Sequence, residues 1–212
     1  MRPGSTTLGR IVALALVLGI VADQSPAQEQ TPDGPVRFVY VPSADTTPPA
    51  GSPSRVYGRE GDRSWTLSTS LAYDASAFDQ AITFAFNRFL VDDIEYILEA
   101  GLWSFHDQGS QQAFGISATL GFRWHFVNRD RWTLFADAGI GMLGTTDTVP
   151  PGGTGFNFMP RVGVGLTHRI DDSTRLITGL RWHHISNART RGDDRNPSRD
   201  APLLYVGLIV GF

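Results

Sequence analysis

The sequence predicts an all-β protein: an eight-stranded antiparallel transmembrane β-barrel of the bacterial outer membrane. From Ser64 onward the chain consists of segments of roughly ten residues in which apolar and polar side chains alternate. Eight such segments follow one another, an even number, and no helical periodicity of useful length separates them. The chain ends on Phe212, with apolar residues at alternate positions before it, which is typical of a terminal barrel strand.

The first residues have the composition of a secretory signal peptide, predicted here as residues 1–27. Arg2 and Arg10 precede an uncharged, largely apolar run that is too short, with those flanks, to be expected to span a bilayer. Small residues, Ser25 and Ala27, stand at the two positions that a signal peptidase reads. We therefore expect cleavage after Ala27 and export of the mature chain; an uncleaved membrane anchor is the alternative.

Residues 28–62 are predicted to be a flexible periplasmic lead-in. They are rich in Pro, Ser, Thr, Gly and Asp and contain only a brief apolar patch at residues 36–41, so they are not expected to bury a core. The sequence leaves open whether a short strand or plug forms there, and whether the segment does more than tether. The barrel itself is assigned to residues 63–212.

Strand by strand, the segments present one apolar face and one polar or small face. The clearest runs from Phe114 to Phe126, where Phe, Ile, Ala, Leu and Trp alternate with Gly, Ser, Thr, Arg and His. In chain order, the alternation covers residues 65–73, 82–86, 95–103, 114–126, 132–142, 161–167, 175–187 and 201–212.

Charged residues on the second face require partners or water, so this face is predicted to point into a shared interior. The residues concerned are Glu95, Glu99, Arg123, Asp137, Arg161 and Arg181. Their apolar neighbours then point outward, and apolar-out, polar-in is the pattern of a barrel in lipid. Closure satisfies the backbone groups that lipid cannot, and with eight strands the interior is filled by side chains.

The links between segments are predicted to alternate in length. Those at residues 91–93, 128–131 and 171–174 are short and charged, whereas most of the others are longer, notably 145–155 and 187–200. In outer-membrane barrels the short turns face the periplasm and the long loops face outside.

Composition and net charge bear on which ligands and which kinds of site the chain could have. The formal net charge of −3 gives no global electrostatic support for a nucleic-acid partner, and the absence of Cys rules out disulfides and thiolate metal sites. His125 and His168 lack neighbours with metal-ligand spacing. We expect no metal and no cofactor.

The seventh segment carries the candidate site. His184 and Ser186 share the outward face with Leu180 and Trp182, whereas His183 faces inward as a predicted hydrogen-bond partner in the lumen. Ser186 lies roughly 35 Å beyond the periplasmic start of this strand at about 3.3 Å per residue, before tilt, and so at the outer-leaflet rim.

A serine needs an adjacent base that a third group orients. Asp200 lies at the start of the eighth segment, at an alternate position that points outward like His184 and Ser186, so it is the expected acid. Asp193 and Asp194, in the preceding loop, are competitors.

The segment His184-Ile185-Ser186-Asn187, then Asn196-Pro197 and an acid four residues after Asn196, closely resembles the lipid A 3-O-deacylase (PagL-like) family of eight-stranded outer-membrane hydrolases. The resemblance covers residues 64–212 and is most specific in the last two strands. It implies Ser186 as nucleophile, His184 as base and Asp200 in place of the family's orienting glutamate. It also implies Asn196 as the oxyanion donor, with the backbone around Asn187 as a second candidate.

The implied reaction is hydrolysis of the ester-linked 3-hydroxyacyl chain at the 3-position of lipid A, the lipid of lipopolysaccharide, without metal or cofactor. Three features depart from the family: Asp200 is shorter than glutamate, Ser198 replaces a glycine, and the loop from Ala188 to Asp194 is longer. A triad built on Asp200 therefore requires a closer backbone.

Four arginines near the site are candidate contacts for lipid A phosphates, with a merely solvated or lipopolysaccharide-bridging loop as the equal alternative. They are Arg189, Arg191, Arg195 and Arg199. The rival functions are a structural or adhesion barrel and a lipid A acyltransferase. The sequence leaves open the acyl-chain preference, latency in the native membrane and a homodimer formed through the lipid-facing surface.

Overall fold

A computed structural model describes residues 57–74, 77–107 and 112–212, and these form the predicted eight-stranded antiparallel barrel. The strands are β1 (Arg63–Asp74), β2 (Ala77–Val91), β3 (Ile94–Asp107), β4 (Ala113–Asn128), β5 (Trp132–Thr145), β6 (Phe156–Arg169), β7 (Thr174–Ile185) and β8 (Arg199–Gly211). Each pairs with its neighbours in sequence, and β1 pairs with β8 to close the sheet. The predicted signal peptide, residues 1–27, and most of the predicted lead-in lie outside the described residues.

The strands are staggered around the barrel. Directly paired residues lead from Ser186 through Phe158, Met142, Ala118, Ala100, Phe84, Leu67 and Leu208 to Leu176. The row returns to β7 ten residues before it started. A row across the sheet therefore descends along the barrel axis as it circles, and the strands tilt accordingly.

The predicted polarity of the two faces is confirmed. Aromatic and aliphatic side chains cover the outside; Leu102, Ile116 and Phe114, for example, are 66%, 67% and 53% exposed. The lumen buries the six charged residues expected there or holds them largely enclosed. A soluble protein would avoid exposing so large an apolar surface to water, whereas in a membrane this surface contacts the lipid chains.

A connected charge network fills the middle of the lumen. Arg123 binds Glu95 at 2.6 Å, and Arg181 binds Asp137 at 2.7 Å. Asp137 lies 3.7 Å from Arg123 and also accepts a hydrogen bond from the Tyr205 hydroxyl. A further pair joins Arg161 to Glu99 at 2.6 Å. The network joins β3 through β8 across the lumen, and each charge has an opposite partner, as burial demands.

The links follow the predicted alternation with one exception. Those between β2 and β3, β4 and β5, and β6 and β7 are short and lie at one end, called the periplasmic end below; the opposite end is called the outer end. At the outer end the links before β6 and β8 are long, but only two residues, 75 and 76, separate β1 from β2. In the turn before β7, the backbone N–H groups of Ser173 and Thr174 lower the pKa of Asp171 by hydrogen bonding to its carboxylate.

Residues 57–62, assigned from sequence to the flexible lead-in, instead pack against the periplasmic end. The Tyr57 ring lies edge-on to Phe89 and His125, and the Arg175 guanidinium stacks 4.3 Å from its centroid. Asn128 donates to the Tyr57 carbonyl at 2.9 Å. Backbone hydrogen bonds from Gly61 N–H to the Phe89 carbonyl and from Phe89 N–H to the Asp62 carbonyl also hold this segment. The lead-in thus ends in a short plug, which composition did not reveal because it depends on specific contacts. Within the described ranges no helix is long and apolar enough to cross a bilayer.

The Tyr57 ring should contribute to barrel stability. Tyr57→Ala is expected to lower the free energy of unfolding by about 2 kcal/mol, less than for a fully buried aromatic residue because Tyr57 is only partly enclosed. Tyr57→Phe is the matched control, because the buried hydroxyl has no hydrogen-bond partner and its removal is expected to be neutral or stabilising. Urea unfolding in lipid vesicles, followed by tryptophan fluorescence, measures both. Equal losses in the two variants would contradict this role for the ring.

Candidate active site

The register of β7 and β8 brings the predicted acid and base together. His184 and Asp200 are direct cross-strand partners, and both side chains lie on the outward face. Residues so paired have Cβ atoms about 5 Å apart, close enough for the short Asp side chain to reach the imidazole. Ser186 follows two residues after His184, just past the end of β7, where it pairs with Phe158 of β6.

The three side chains form a continuous hydrogen-bonded chain. His184 Nδ1 lies 2.9 Å from Asp200 Oδ1, and His184 Nε2 lies 2.9 Å from Ser186 Oγ. A carboxylate only accepts, so Nδ1 carries the hydrogen and Nε2 is left to accept the serine proton. This is the arrangement that nucleophilic hydrolases use on unrelated folds.

The other acidic candidates are not placed to orient His184. Asp193 and Asp194 lie on a short 3-10 helix, Asp193–Arg195, and are exposed. Asp193 pairs instead with Arg189 at 3.0 Å. Both ring nitrogens of His184 are occupied by Asp200 and Ser186.

The site faces the lipid side of the wall at the outer end. His184 is 22% exposed and stacks on the exposed Trp182, with ring centroids 5.5 Å apart. Ser186 is 8% exposed and pairs with Phe158 of β6. His183 points the other way, as predicted, and stacks on Trp103 in the lumen. Within the described ranges its Nε2 makes no hydrogen bond, and Asp79 Oδ2 lies 3.9 Å away.

The loop after Ser186 orients the Asn196 amide. The backbone N–H of Asn187 donates to Asn196 Oδ1 at 3.1 Å. Because a backbone N–H needs an acceptor, this bond fixes the carbonyl oxygen of Asn196 on that side and turns its NH₂ group away. Among the described residues that NH₂ group has no acceptor, so it is available to a ligand.

Asn187 has a different role from the one expected of its backbone. Its N–H is engaged by Asn196, and its buried side chain donates to the Arg195 carbonyl. It therefore ties the two ends of the loop together. The chain turns sharply after it, with Ala188 and Arg189 both at positive φ, 51° and 61°. The longer loop is thus accommodated by a tight turn and a clamp.

The four candidate arginines divide into three groups. Arg191 and Arg195 line a groove of about 680 Å³ at the outer end, between the loops that precede β6 and β8. Arg189 lies on the surface and pairs with Asp193. Arg199 was wrongly grouped with them: it is 3% exposed, points into the lumen, and binds Asp79 at 2.6 Å and also Asp107. Successive side chains of a strand point to opposite faces, and Asp200 points outward, so its neighbour Arg199 points into the lumen.

No group of three or more His, Cys, Asp or Glu side chains in the described part of the chain is arranged to hold a metal ion. The hydrogen-bonded chain from Asp200 to Ser186 needs none for acyl transfer.

Comparison with known proteins identifies the class and then the family. Three solved outer-membrane barrels match the fold. The outer-membrane enzyme PagL has a TM-score of 0.56 at 18% identity, over 67% of this chain and 97% of that one. The N-terminal barrel of Pseudomonas aeruginosa OprF has 0.54 at 16%, over 74% and 100%, and Neisserial surface protein A has 0.52 at 15%, over 72% and 100%.

These likenesses show the fold, a small outer-membrane β-barrel. The model of the lipid A 3-O-deacylase (PagL) family matches residues 62–208, and the chain belongs to that family. No curated protein sequence matches it significantly.

The lumen position of Arg199 predicts a stability effect that its surface neighbours lack. Arg199→Met leaves Asp79 and Asp107 buried without their cation, which is expected to lower the free energy of unfolding by about 3–5 kcal/mol. Arg191→Met, on the exposed loop, should change it by less than about 0.5 kcal/mol. Unfolding in vesicles measures both values, and an unaffected Arg199→Met barrel would contradict the buried pairing.

Proposed function

We propose that the protein is a lipid A 3-O-deacylase in which Ser186 is the nucleophile, His184 the general base and acid, and Asp200 the group that orients His184. The observation that carries the proposal is the chain of two 2.9 Å hydrogen bonds from Asp200 through His184 to Ser186, on the lipid side of the outer rim. The family match supplies the substrate, and the position of the site agrees with a substrate in the outer leaflet.

In the first half-reaction Ser186 Oγ attacks the carbonyl carbon of the ester at the 3-position while its proton passes to His184 Nε2. The bond between the carbonyl carbon and the sugar oxygen at the 3-position then breaks. His184 gives the proton to this leaving oxygen, which becomes the free 3-hydroxyl group. Asp200 holds the imidazole in the tautomer that can accept and stabilises the imidazolium that forms. The acyl group is left on Ser186.

In the second half-reaction a water molecule gives its proton to His184 and attacks the acyl-serine carbonyl. The bond to Ser186 Oγ breaks, the serine regains its proton, and a free 3-hydroxy fatty acid leaves. The negative charge on the carbonyl oxygen in both steps is assigned to the NH₂ group of Asn196, which the Asn187 backbone directs away from itself.

Two surface features belong to the same proposal. Arg191 and Arg195 line the groove above the site and are candidates to bind lipid A phosphates, as planar guanidinium groups do well. Export by removal of residues 1–27 remains the expected route to the outer membrane, and the mass of the mature N-terminus would test cleavage after Ala27.

The rival functions are less well supported. A structural or adhesion barrel would share the fold, as the likeness to OprF and Neisserial surface protein A illustrates, but would leave the hydrogen-bonded Ser-His-Asp chain without a use. An acyltransferase working from the lumen would need room there, whereas the charge network occupies that space.

Mass spectrometry of lipid A from cells expressing the chain tests the reaction. The native protein is expected to remove one 3-hydroxyacyl unit, and Ser186→Ala to remove none. Asp200→Asn should lower the rate by roughly 10⁴-fold, because the amide NH₂ group can donate to His184 Nδ1 and so favours the wrong histidine tautomer, and because the negative charge is lost. Ser198→Ala, a serine of the same loop outside the triad, is the matched control and should retain activity. Full activity in Ser186→Ala would remove the serine from the mechanism.

A second test separates the two bonds of Asn196. Asn196→Asp keeps an oxygen acceptor for the Asn187 N–H but replaces the NH₂ donor, so kcat is expected to fall about 10²–10³-fold with the loop retained. Asn196→Ala loses both bonds and should also loosen the loop, seen as faster proteolysis between β7 and β8. An active Asn196→Asp enzyme would place the oxyanion donor elsewhere.

A further inference from the structure

Two arginines lie on the lipid-facing surface near the periplasmic end, where the candidate active site gives them no role. Of the outward-facing positions on the eight described strands, only three hold Asp, Glu, Lys or Arg: Arg63, Arg88 and Asp200. Asp200 belongs to the candidate active site at the outer end. The two arginines are exposed and are direct cross-strand partners on β1 and β2. They therefore form one positively charged patch.

A pair of like charges in this position calls for an anion. Direct cross-strand partners have Cβ atoms about 5 Å apart, and like charges placed opposite each other destabilise a sheet. Within the described residues, neither guanidinium group takes part in an ion pair or a hydrogen bond. Their acidic neighbours in the chain, Asp62 and Asp92, instead accept hydrogen bonds from backbone N–H groups. The N–H donors of both arginines thus remain available to a ligand.

Tyr96 extends the same row of donors. It is the direct partner of Arg88 on β3, points outward and is half-buried. Its hydroxyl makes no hydrogen bond to any other described residue. Because neighbouring strands lie about 4.8 Å apart, the row from Tyr96 through Arg88 to Arg63 spans about 10 Å of the surface. Three polar side chains thus stand side by side on a face that is otherwise apolar.

Aromatic rings border this patch on its membrane side. Trp65 and Phe86 are direct partners two residues further into the membrane than Arg63 and Arg88, and their ring centroids lie 5.1 Å apart. Phe212 stacks on Trp65 at 5.7 Å. Aromatic side chains of outer-membrane barrels gather at the two interfaces of the bilayer. The arginines, on the periplasmic side of these rings, therefore lie at the level of the lipid headgroups.

The depth and the charge together define the ligand. An arginine on the lipid face costs about 2–4 kcal/mol at the middle of a bilayer but about 0–1 kcal/mol near its interface, where it meets phosphate groups. Guanidinium groups bind phosphate through paired hydrogen bonds. A headgroup that also carries an ammonium would place a third cation beside the two arginines, and no outward-facing carboxylate of the strands lies there to receive it. The patch therefore favours a lipid of net negative charge.

We propose that Arg63, Arg88 and the Tyr96 hydroxyl bind the phosphodiester of an anionic glycerophospholipid in the periplasmic leaflet. Trp65 and Phe86 contact the glycerol and the first part of the acyl chains of this lipid. The bound phosphate neutralises the pair of like charges. This site lies at the opposite end of the barrel from Ser186, and it is independent of the proposed hydrolase function.

The site also lies beside the junction that closes the barrel. Arg63 is the first residue of β1, the strand that pairs with β8. The backbone N–H of Phe212, just beyond β8, donates to the Arg63 carbonyl at 3.2 Å. A lipid that binds only the closed barrel stabilises it against unfolding.

A titration of the purified protein in detergent micelles tests the site. Binding of dioleoyl phosphatidylglycerol is followed by native mass spectrometry. The double variant Arg63→Gln/Arg88→Gln is expected to bind this lipid at least about tenfold more weakly than the native protein. The matched control, Arg129→Gln/Arg131→Gln, removes two exposed arginines of the turn between β4 and β5 and should stay within about twofold of the native affinity. Unchanged binding in the first variant, or an equal loss in both, would overturn the proposal.

Two further ligands distinguish a lipid site from a general phosphate site. Dioleoyl phosphatidylcholine is expected to bind at least about tenfold more weakly than phosphatidylglycerol, because its ammonium opposes the arginines. Inorganic phosphate in excess should not displace phosphatidylglycerol, since it lacks the contacts with Trp65 and Phe86. Equal affinity for the two lipids, or displacement by phosphate, would overturn the assignment to an anionic lipid.

Unfolding by urea in lipid vesicles provides a measurement without detergent. Adding phosphatidylglycerol to phosphatidylcholine vesicles is expected to lower the unfolding equilibrium constant of the native protein about tenfold, as for a ligand present at about ten times its Kd. For Arg63→Gln/Arg88→Gln the change should be less than about twofold. In phosphatidylcholine alone this variant should be at least as stable as the native protein, because the like-charge repulsion is gone. Equal stabilisation of both proteins by phosphatidylglycerol would contradict the site, whereas an inactive deacylase would not.

Discussion

Every backbone N–H and C=O group inside the hydrocarbon needs a partner within the protein, and most of the structure follows from that constraint. The sheet meets it by closing β8 on β1, so that no edge is left in lipid. Closure in turn fixes an inside and an outside for each strand, and alternation then sends the charged side chains inward and the aromatic and aliphatic ones outward. The stagger of ten residues sets the tilt and carries each row of neighbours obliquely through the membrane.

The filled lumen explains why the candidate site lies on the outer surface of the barrel. Glu95, Arg123, Asp137 and Arg181 occupy the space through which a small barrel could otherwise admit a ligand. These charges link β3, β4, β5 and β7 across the lumen. The proposed chemistry therefore lies on the outer surface of the barrel, where the pairing of β7 and β8 keeps Asp200, His184 and Ser186 at hydrogen-bonding distance.

Much of this could be predicted from sequence because the period of two carries so much information in a barrel. This period gives the face on which each side chain lies. It therefore predicted the charged residues in the lumen, the inward direction of His183, and the outward direction of His184 and Ser186. The alternation also separates Arg199 from Asp200, but its grouping with the nearby loop arginines hid this. Proximity along the chain was a poorer guide than parity.

Other features depend on register and on single contacts that a sequence does not display. That Asp200 stands directly opposite His184 is a property of pairing, and it explains why the shorter acid suffices. That Ala100 and Ala118 are neighbours across strands, although they are 18 positions apart in the chain, is likewise a property of register. Tyr57 contacts the barrel through its ring and its carbonyl oxygen, within a segment whose composition predicts only a flexible lead-in.

The direct pairing of His184 with Asp200 also makes the geometry of the candidate site depend on the register of β7 and β8. If β8 slipped by one residue against β7, the carboxylate would turn into the lumen and the Arg199 guanidinium would face the lipid. Under the proposed mechanism such a barrel would not cleave an ester, and it would also lose the lumen pairing of Arg199 with Asp79. The correct register of β8 against β7 is thus a condition both for the proposed chemistry and for the charge pairing of the lumen.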